Sequence, residues 1–188
     1  MPLSSSLVPL GTPAPDFALP DVFGERYSLS MFNTSVLVVF FACNHCPYVR
    51  HIEDELCRFV PDAEVSIVAI CPNDAARYPD DAPAELAEQA RRAGWRFPYL
   101  VDAEQAAARA YGAVCTPDFF VYGPDRTLAY RGAFDASTPG NGEKPTGDDL
   151  RHAIDLVRAG KPVPEPHRPS MGCGIKWLPG NEPTLTQP

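Results

Sequence analysis

The chain has 188 residues, 45% hydrophobic and 10% aromatic, with a formal net charge of −8. Length and apolar content suffice for one domain with a full core, and the acidic balance argues against a nucleic-acid or anionic-membrane surface. No run approaches the roughly 18 apolar residues of a membrane span, and the opening MPLSSSLVPLGTPAPDF lacks the basic flank and apolar core of a secretory signal; a cytoplasmic location is therefore expected.

In chain order, residues 17–32 read as a β-hairpin turning near Asp21–Gly24. Residues 36–42 are apolar without alternation, the pattern of a central strand covered on both faces. Val49, Ile52, Leu56, Phe59 and Val60 then fall at helical spacing, and Pro61 closes that helix. Residues 65–71 form the next buried strand. Pro83 opens a helix that Gly94 closes. Residues 97–101 are a short strand, and Asp102 with Gln105 reads as an N-cap and capping box for a helix ending at Gly112. Residues 118–122 and 127–132, joined by a Gly-Pro-Asp turn, form an antiparallel pair. A last helix over 148–159 turns Leu150, Ala153, Ile154 and Val157 to one side. Strands alternating with helices, then a hairpin and a helix, describe an α/β sandwich around a mixed sheet. Residues 1–160 make the domain. Residues 161–188 hold seven prolines with Ile175, Trp177 and Leu178 as apolar anchors; this segment is expected as an irregular, extended arm lying on the domain.

The six cysteines include one CxxC pair, Cys43 and Cys46, where the apolar run meets the first helix. A helix N-terminus offers unpaired N–H groups and a partial positive charge. A thiolate there is stabilised and becomes a usable nucleophile near neutral pH. Pro47 fixes where the first helical turn begins. With Pro47 as the first helical residue, Cys46 caps the helix; with Asn44 as the cap, both cysteines border the first turn. Protonated His45 would further favour the thiolate. Two thiols this close suit dithiol exchange.

The order strand–CxxC–helix, then Thr116-Pro117 just before a strand, resembles the thioredoxin superfamily. Ala14-Pro15, Phe17, Leu19, Asp21, Gly24, Leu29 and Phe32 look like the opening of its redoxin (AhpC/TSA, peroxiredoxin-like) branch. CNHCPYV at 43–49 together with GCGIKWLPGNEP at 172–183 is similar to bacterial proteins labelled probable thiol–disulfide isomerase or thioredoxin. The resemblance implies a thioredoxin-like three-layer sandwich: a central mixed sheet, an N-terminal hairpin extension and the C-terminal arm. It implies Cys43 and Cys46 as the redox pair, with an antioxidant role as a further implication. Asn44, His45, Pro47, Thr116 and Pro117 modulate the site. Pro117 takes the superfamily's cis-proline, which leaves the Thr116 backbone free to pair with a substrate chain. Peroxiredoxins carry Pro-x-x-x-Thr-x-x-Cys; placing Cys46 on their reactive cysteine puts Cys43 on the threonine and Val39 on the proline. Helix position favours Cys46 as the attacking sulfur and thioredoxin precedent favours Cys43, so the order of attack stays open.

Cys115 and Cys173 are candidate accessory thiols, Cys173 standing between two glycines. Cys57 and Cys71 read as small buried hydrophobes. His51, His152 and His167 read as solvated, and Asp80-Asp81 as a loop or cap charge. A closed zinc site wants four ligands, and the chain has no second paired motif, although Cys115, Cys173 and His51 could be recruited by folding. The resulting expectation is a thiol–disulfide oxidoreductase without cofactor or metal. Its partners are protein or small-molecule thiols and disulfides and an external dithiol reductant, with no nucleic acid or membrane; the oligomeric state is not read. The alternatives are a thiol peroxidase with Cys46 as the peroxide-reactive sulfur, and a non-catalytic zinc-binding or interaction module.

Overall fold

The structure is a computed structural model and describes residues 2–5 and 8–183. The strands are β1 (Pro2–Ser4), β2 (Ala18–Pro20), β3 (Arg26–Ser28), β4 (Val36–Phe41), β5 (Val65–Cys71), β6 (Tyr99–Val101), β7 (Cys115–Thr116), β8 (Asp118–Tyr122), β9 (Leu128–Gly132) and β10 (Met171–Gly174). The helices are α1 (Pro47–Leu56), α2 (Pro83–Ala93), α3 (Ala106–Tyr111) and α4 (Asp148–Arg158).

The main sheet has the order β6-β5-β4-β8-β9. β4 runs parallel to β5 and antiparallel to β8, so the sheet is mixed. Every residue of β4 is buried, which is why its sequence shows no alternation. Val36, Val38 and Phe40 pack with α1, α2 and α4 on one face. Leu37, Val39 and Phe41 pack with α3 and with Phe17 and Phe32 on the other. The hairpin of β2 and β3 turns where Asp21 Oδ1 accepts the N–H groups of Phe23 and Glu25. α2 ends at Gly94, whose φ of +68° suits a residue without a Cβ. Among the described residues no helix is long and apolar enough to cross a membrane.

Two local expectations are corrected. α1 stops at Leu56 rather than running on to Val60, which is 46% exposed. α3 starts at Ala106 with Gln105 at its N-cap, and no capping box forms there. Asp102 instead reaches over the first turn, its Oδ2 accepting the Ala108 N–H at 2.8 Å. Gln105 is spent on the C-terminal arm: its Nε2 donates to the carbonyls of Pro72 and Lys176, and its Oε1 accepts from the Leu178 N–H.

The arm itself holds one regular stretch. β10 lies between β1 and β7 in a small antiparallel sheet, with Cys173 opposite both Pro2 and Thr116. Gly172 makes this approach possible, because a Cβ there would stand 1.9 Å from the Thr116 carbonyl oxygen.

A candidate active site of three sulfurs

Cys43 follows β4, and Cys46 is the N-cap of α1, in extended conformation with Pro47 as the first helical residue. The Thr116–Pro117 bond faces them and is cis. Cys43 Sγ lies 3.2 Å from Thr116 Oγ1, and the Cys46 thiol, when protonated, donates to the Thr116 carbonyl at 3.1 Å. Thr116 is not free on its edge: β10 holds it, and sets Cys173 opposite the residue whose carbonyl faces Cys46.

The three sulfurs are driven apart in acidity. Cys46 is lowered from 9.0 to about 5. The Cys43 thiol, donating to it, is the largest cause; the Cys173 thiol and the backbone N–H groups of Val49 and Cys173 add to that, against the opposing cost of burial. Cys43 is pushed well up because its proton is held in that bond, and burial and the Asp81 charge push the same way. Cys173 is pushed up to about 12, first by burial and then by its bond to Cys46. Neither Cys43 nor Cys46 is exposed, whereas Cys173 is half-buried. The chain's own arm therefore lies against the candidate sulfurs.

The loop between the cysteines hangs on Asp81, which sequence reasoning set aside as a loop charge. Asp81 lies in a 3-10 turn over Pro79–Asp81 and is 1% exposed. Its Oδ1 accepts the N–H groups of Asn44 and His45, at 2.8 and 3.2 Å. Its Oδ2 takes His45 Nδ1 at 2.6 Å and Asn73 Nδ2 at 2.8 Å. Burial raises this carboxyl, but the bonds from His45, Asn73 and Asn44 more than offset it and hold it below the usual range. His45 thus bonds to Asp81 instead of to a sulfur, and its ring stacks on Tyr78. Asn73 also accepts the Lys176 N–H, which ties the same network to the arm. Nothing in the spacing of Asn73, Tyr78 or Asp81 announces this; only the fold brings them beside Asn44 and His45.

The other candidates separate. Cys115 is buried with its thiol turned towards the Pro117 carbonyl, and burial pushes it far up. Cys71 is buried as expected, whereas Cys57 is half-exposed at the end of α1, because that helix stops before covering it. His167, read as solvated, is buried instead: the arm folds back so that its ring meets Tyr130 and Arg131. Cys43, His45 and Asp81 offer ligand atoms within 4.8 Å of one another. That is three ligands, and among the described residues neither His51 nor Cys115 joins them. Both Asp81 oxygens are already engaged by N–H donors. Beside Pro117 a cavity of about 350 Å³ opens, lined by Tyr48, Ile52, Phe134, Arg168 and Met171 among others.

Comparison with known proteins fits this architecture. A family model described as AhpC/TSA matches residues 10–131. A hypothetical protein from Sinorhizobium meliloti 1021 has 44% identity and a TM-score of 0.91, covering 94% of this chain and 99% of its own. An uncharacterized conserved protein from Geobacillus kaustophilus has 44% identity and a TM-score of 0.92, covering 96% and 98%. A secreted disulfide oxidoreductase of Mycobacterium tuberculosis, homologous to E. coli DsbE, shares the fold at 16% identity and a TM-score of 0.58, covering 74% and 94%. No curated protein matches.

Proposed function

Because the chain belongs to the AhpC/TSA family, we propose that its thioredoxin-like fold serves a thiol–disulfide oxidoreductase working by dithiol exchange through Cys43 and Cys46. The observation that carries this reading is the placement of the two sulfurs: Cys46 stands at the N-cap of α1, and both it and Cys43 lie against Thr116 of the cis Thr116–Pro117 bond. Cys46 attacks a sulfur of the partner's disulfide, and one partner thiolate leaves. Cys43 then gives its proton to solvent and attacks Cys46 Sγ, releasing the second partner thiolate. The pair ends as a disulfide and the partner ends reduced by two electrons. An external dithiol returns the pair to its starting state.

The loop geometry supports a fixed attacker. Asp81 gathers the N–H groups of Asn44 and His45, which holds the loop carrying the two sulfurs in place while the bond between them forms and breaks. The partner is a protein or small-molecule disulfide, and the cavity beside Pro117 is the surface on which it would rest while β10 yields its place on Thr116. A reducing cytoplasm would set the direction as reduction of the partner.

The trapping experiment uses a background in which Cys173 is also serine, so that no neighbouring thiol can resolve the intermediate. Cys43→Ser in that background should retain mixed disulfides on Cys46, and Cys46→Ser should retain none. Capture by the Cys46→Ser protein instead, or by neither, would overturn the assignment. The low Cys46 value and the family match also favour a second reading, reduction of peroxide at Cys46 through a sulfenic acid that Cys43 condenses with. Stopped-flow oxidation by hydrogen peroxide against a small disulfide tells them apart: whichever oxidant reacts faster by about tenfold or more names the chemistry.

A further inference from the structure

The arm delivers a third sulfur to the reacting one, and delivers it by a backbone ladder. Thr116 pairs with Cys173 and Cys115 with Gly174. Gly172 permits the close approach, and at Gly174 a Cβ would meet Leu3 of β1 at 2.9 Å. Beyond β10 the arm is pinned again, with the Lys176 N–H on Asn73 Oδ1 and the Leu178 N–H on Gln105 Oε1. β1 covers its other edge. Cys173 pairs with Thr116, whose carbonyl lies 3.1 Å from Cys46 Sγ, and it is the half-buried member of a group whose other two sulfurs are closed to solvent. A sulfur built into the sheet between solvent and a buried pair of cysteines has a position that simple covering would not require.

We propose that Cys173 is a third exchange thiol, which takes Cys46 out of the Cys43–Cys46 disulfide and presents the bond to an external dithiol at the surface. The inference rests on the dithiol-exchange reading above. The Cys173 thiol loses its proton to solvent and attacks Cys46 Sγ. The Cys46–Cys173 bond forms, the Cys43–Cys46 bond breaks, and the Cys43 thiolate takes up a proton. This exchange moves no net electrons. The external dithiol then attacks Cys173 Sγ, and Cys46 leaves as its thiolate. The second thiol of the reductant attacks its own sulfur in the mixed disulfide and frees Cys173. The protein gains two electrons and the reductant leaves as a disulfide. Cys46 suits the leaving role, because a thiol of low pKa departs fastest. While Cys46 is bonded to Cys43 it carries no charge, so two of the causes holding Cys173 in its neutral form are absent.

The test uses the full chain oxidised to the Cys43–Cys46 disulfide, with glutathione as a monothiol probe and dithiothreitol as the dithiol. Peptide mapping after glutathione treatment should place the first adduct on Cys173. Cys173→Ser should still form the Cys43–Cys46 disulfide but should be reduced by dithiothreitol at least about tenfold more slowly. In Cys43→Ser, one equivalent of diamide should give a Cys46–Cys173 bond. An adduct on Cys43 or Cys46, an unchanged reduction rate in Cys173→Ser, or no Cys46–Cys173 bond would each overturn the proposal and leave the dithiol reading standing. Failure of Cys173→Ser to form any Cys43–Cys46 disulfide would sink that reading, and this inference with it.

Discussion

Cys46 at the start of α1 and Cys71 at the end of β5 are both buried, yet they are driven in opposite directions. Burial raises Cys71, and the Asp81 charge adds to it. Cys115, at the start of β7, goes the same way, with Asp118 as its neighbouring charge. Cys46 suffers the same desolvation and still falls, because two thiols and two backbone N–H groups point at it. Burial alone therefore does not decide which sulfur is lowered. Among the described cysteines, Cys46 is the one lowered, and it is lowered at the junction of β4, α1 and the arm, where donors surround it.

The largest test of that contrast is pH. The folded value of Cys46 is depressed from 9.0 to about 5, so the thiolate is present above that value and lost as pH falls through it. Single-turnover oxidation of the reduced protein by hydroxyethyl disulfide should be flat from about pH 6 to 8 and drop about tenfold per unit below 5. By the same sign, the stability of reduced protein over Cys46→Ser should grow as pH rises from about 5 towards 8, where the folded sulfur is charged and the unfolded one is not. An inflection near 8 or 9 would mean that the donors fail and that Cys46 behaves as an ordinary thiol.

A smaller effect is expected at the loop that holds the site. Asp81→Asn keeps the shape but turns an acceptor of four N–H bonds into a group that must itself donate on one side. At least one N–H then faces an N–H in a buried place. Urea unfolding should show a loss of about 2 kcal/mol, the size of a hydrogen bond to a buried charge. A change below about 0.5 kcal/mol would show that Asn44 and His45 keep their positions without the carboxylate.

These two residues also mark what the amino-acid sequence makes legible. The unbroken apolar runs of β4 and β5, Pro47 at the start of α1 and the Pro83-to-Gly94 frame of α2 are local signals, and the fold obeys them. The position of Cys43 and Cys46 at a strand–helix junction follows from the same signals. Asp81 is different: its role is set by a turn that meets the CxxC loop only in three dimensions, and an acidic pair before a helix looks the same without it. β10 was hidden for another reason. Met-Gly-Cys-Gly among prolines has little intrinsic strand preference, and it becomes a strand because β1 and β7 offer edges on both sides. His167 was misread likewise, since its burial depends on the arm folding back against β9.

The smallest expected effect lies at the other end of α1. Cys57 stands at the C-cap of the helix whose N-cap is Cys46, and its thiol donates to the Asp54 carbonyl at 2.9 Å. A helix C-terminus presents carbonyl oxygens, which accept from a thiol and offer a thiolate nothing. Cys57 is also more exposed than either member of the pair. Were access alone enough, it would exchange before they do. Cys57→Ala should leave the rate of disulfide reduction unchanged and alter stability by no more than about 0.5 kcal/mol in urea unfolding. A measurable loss of turnover in Cys57→Ala would break the contrast, because a sulfur without donors would then be taking part in the cycle.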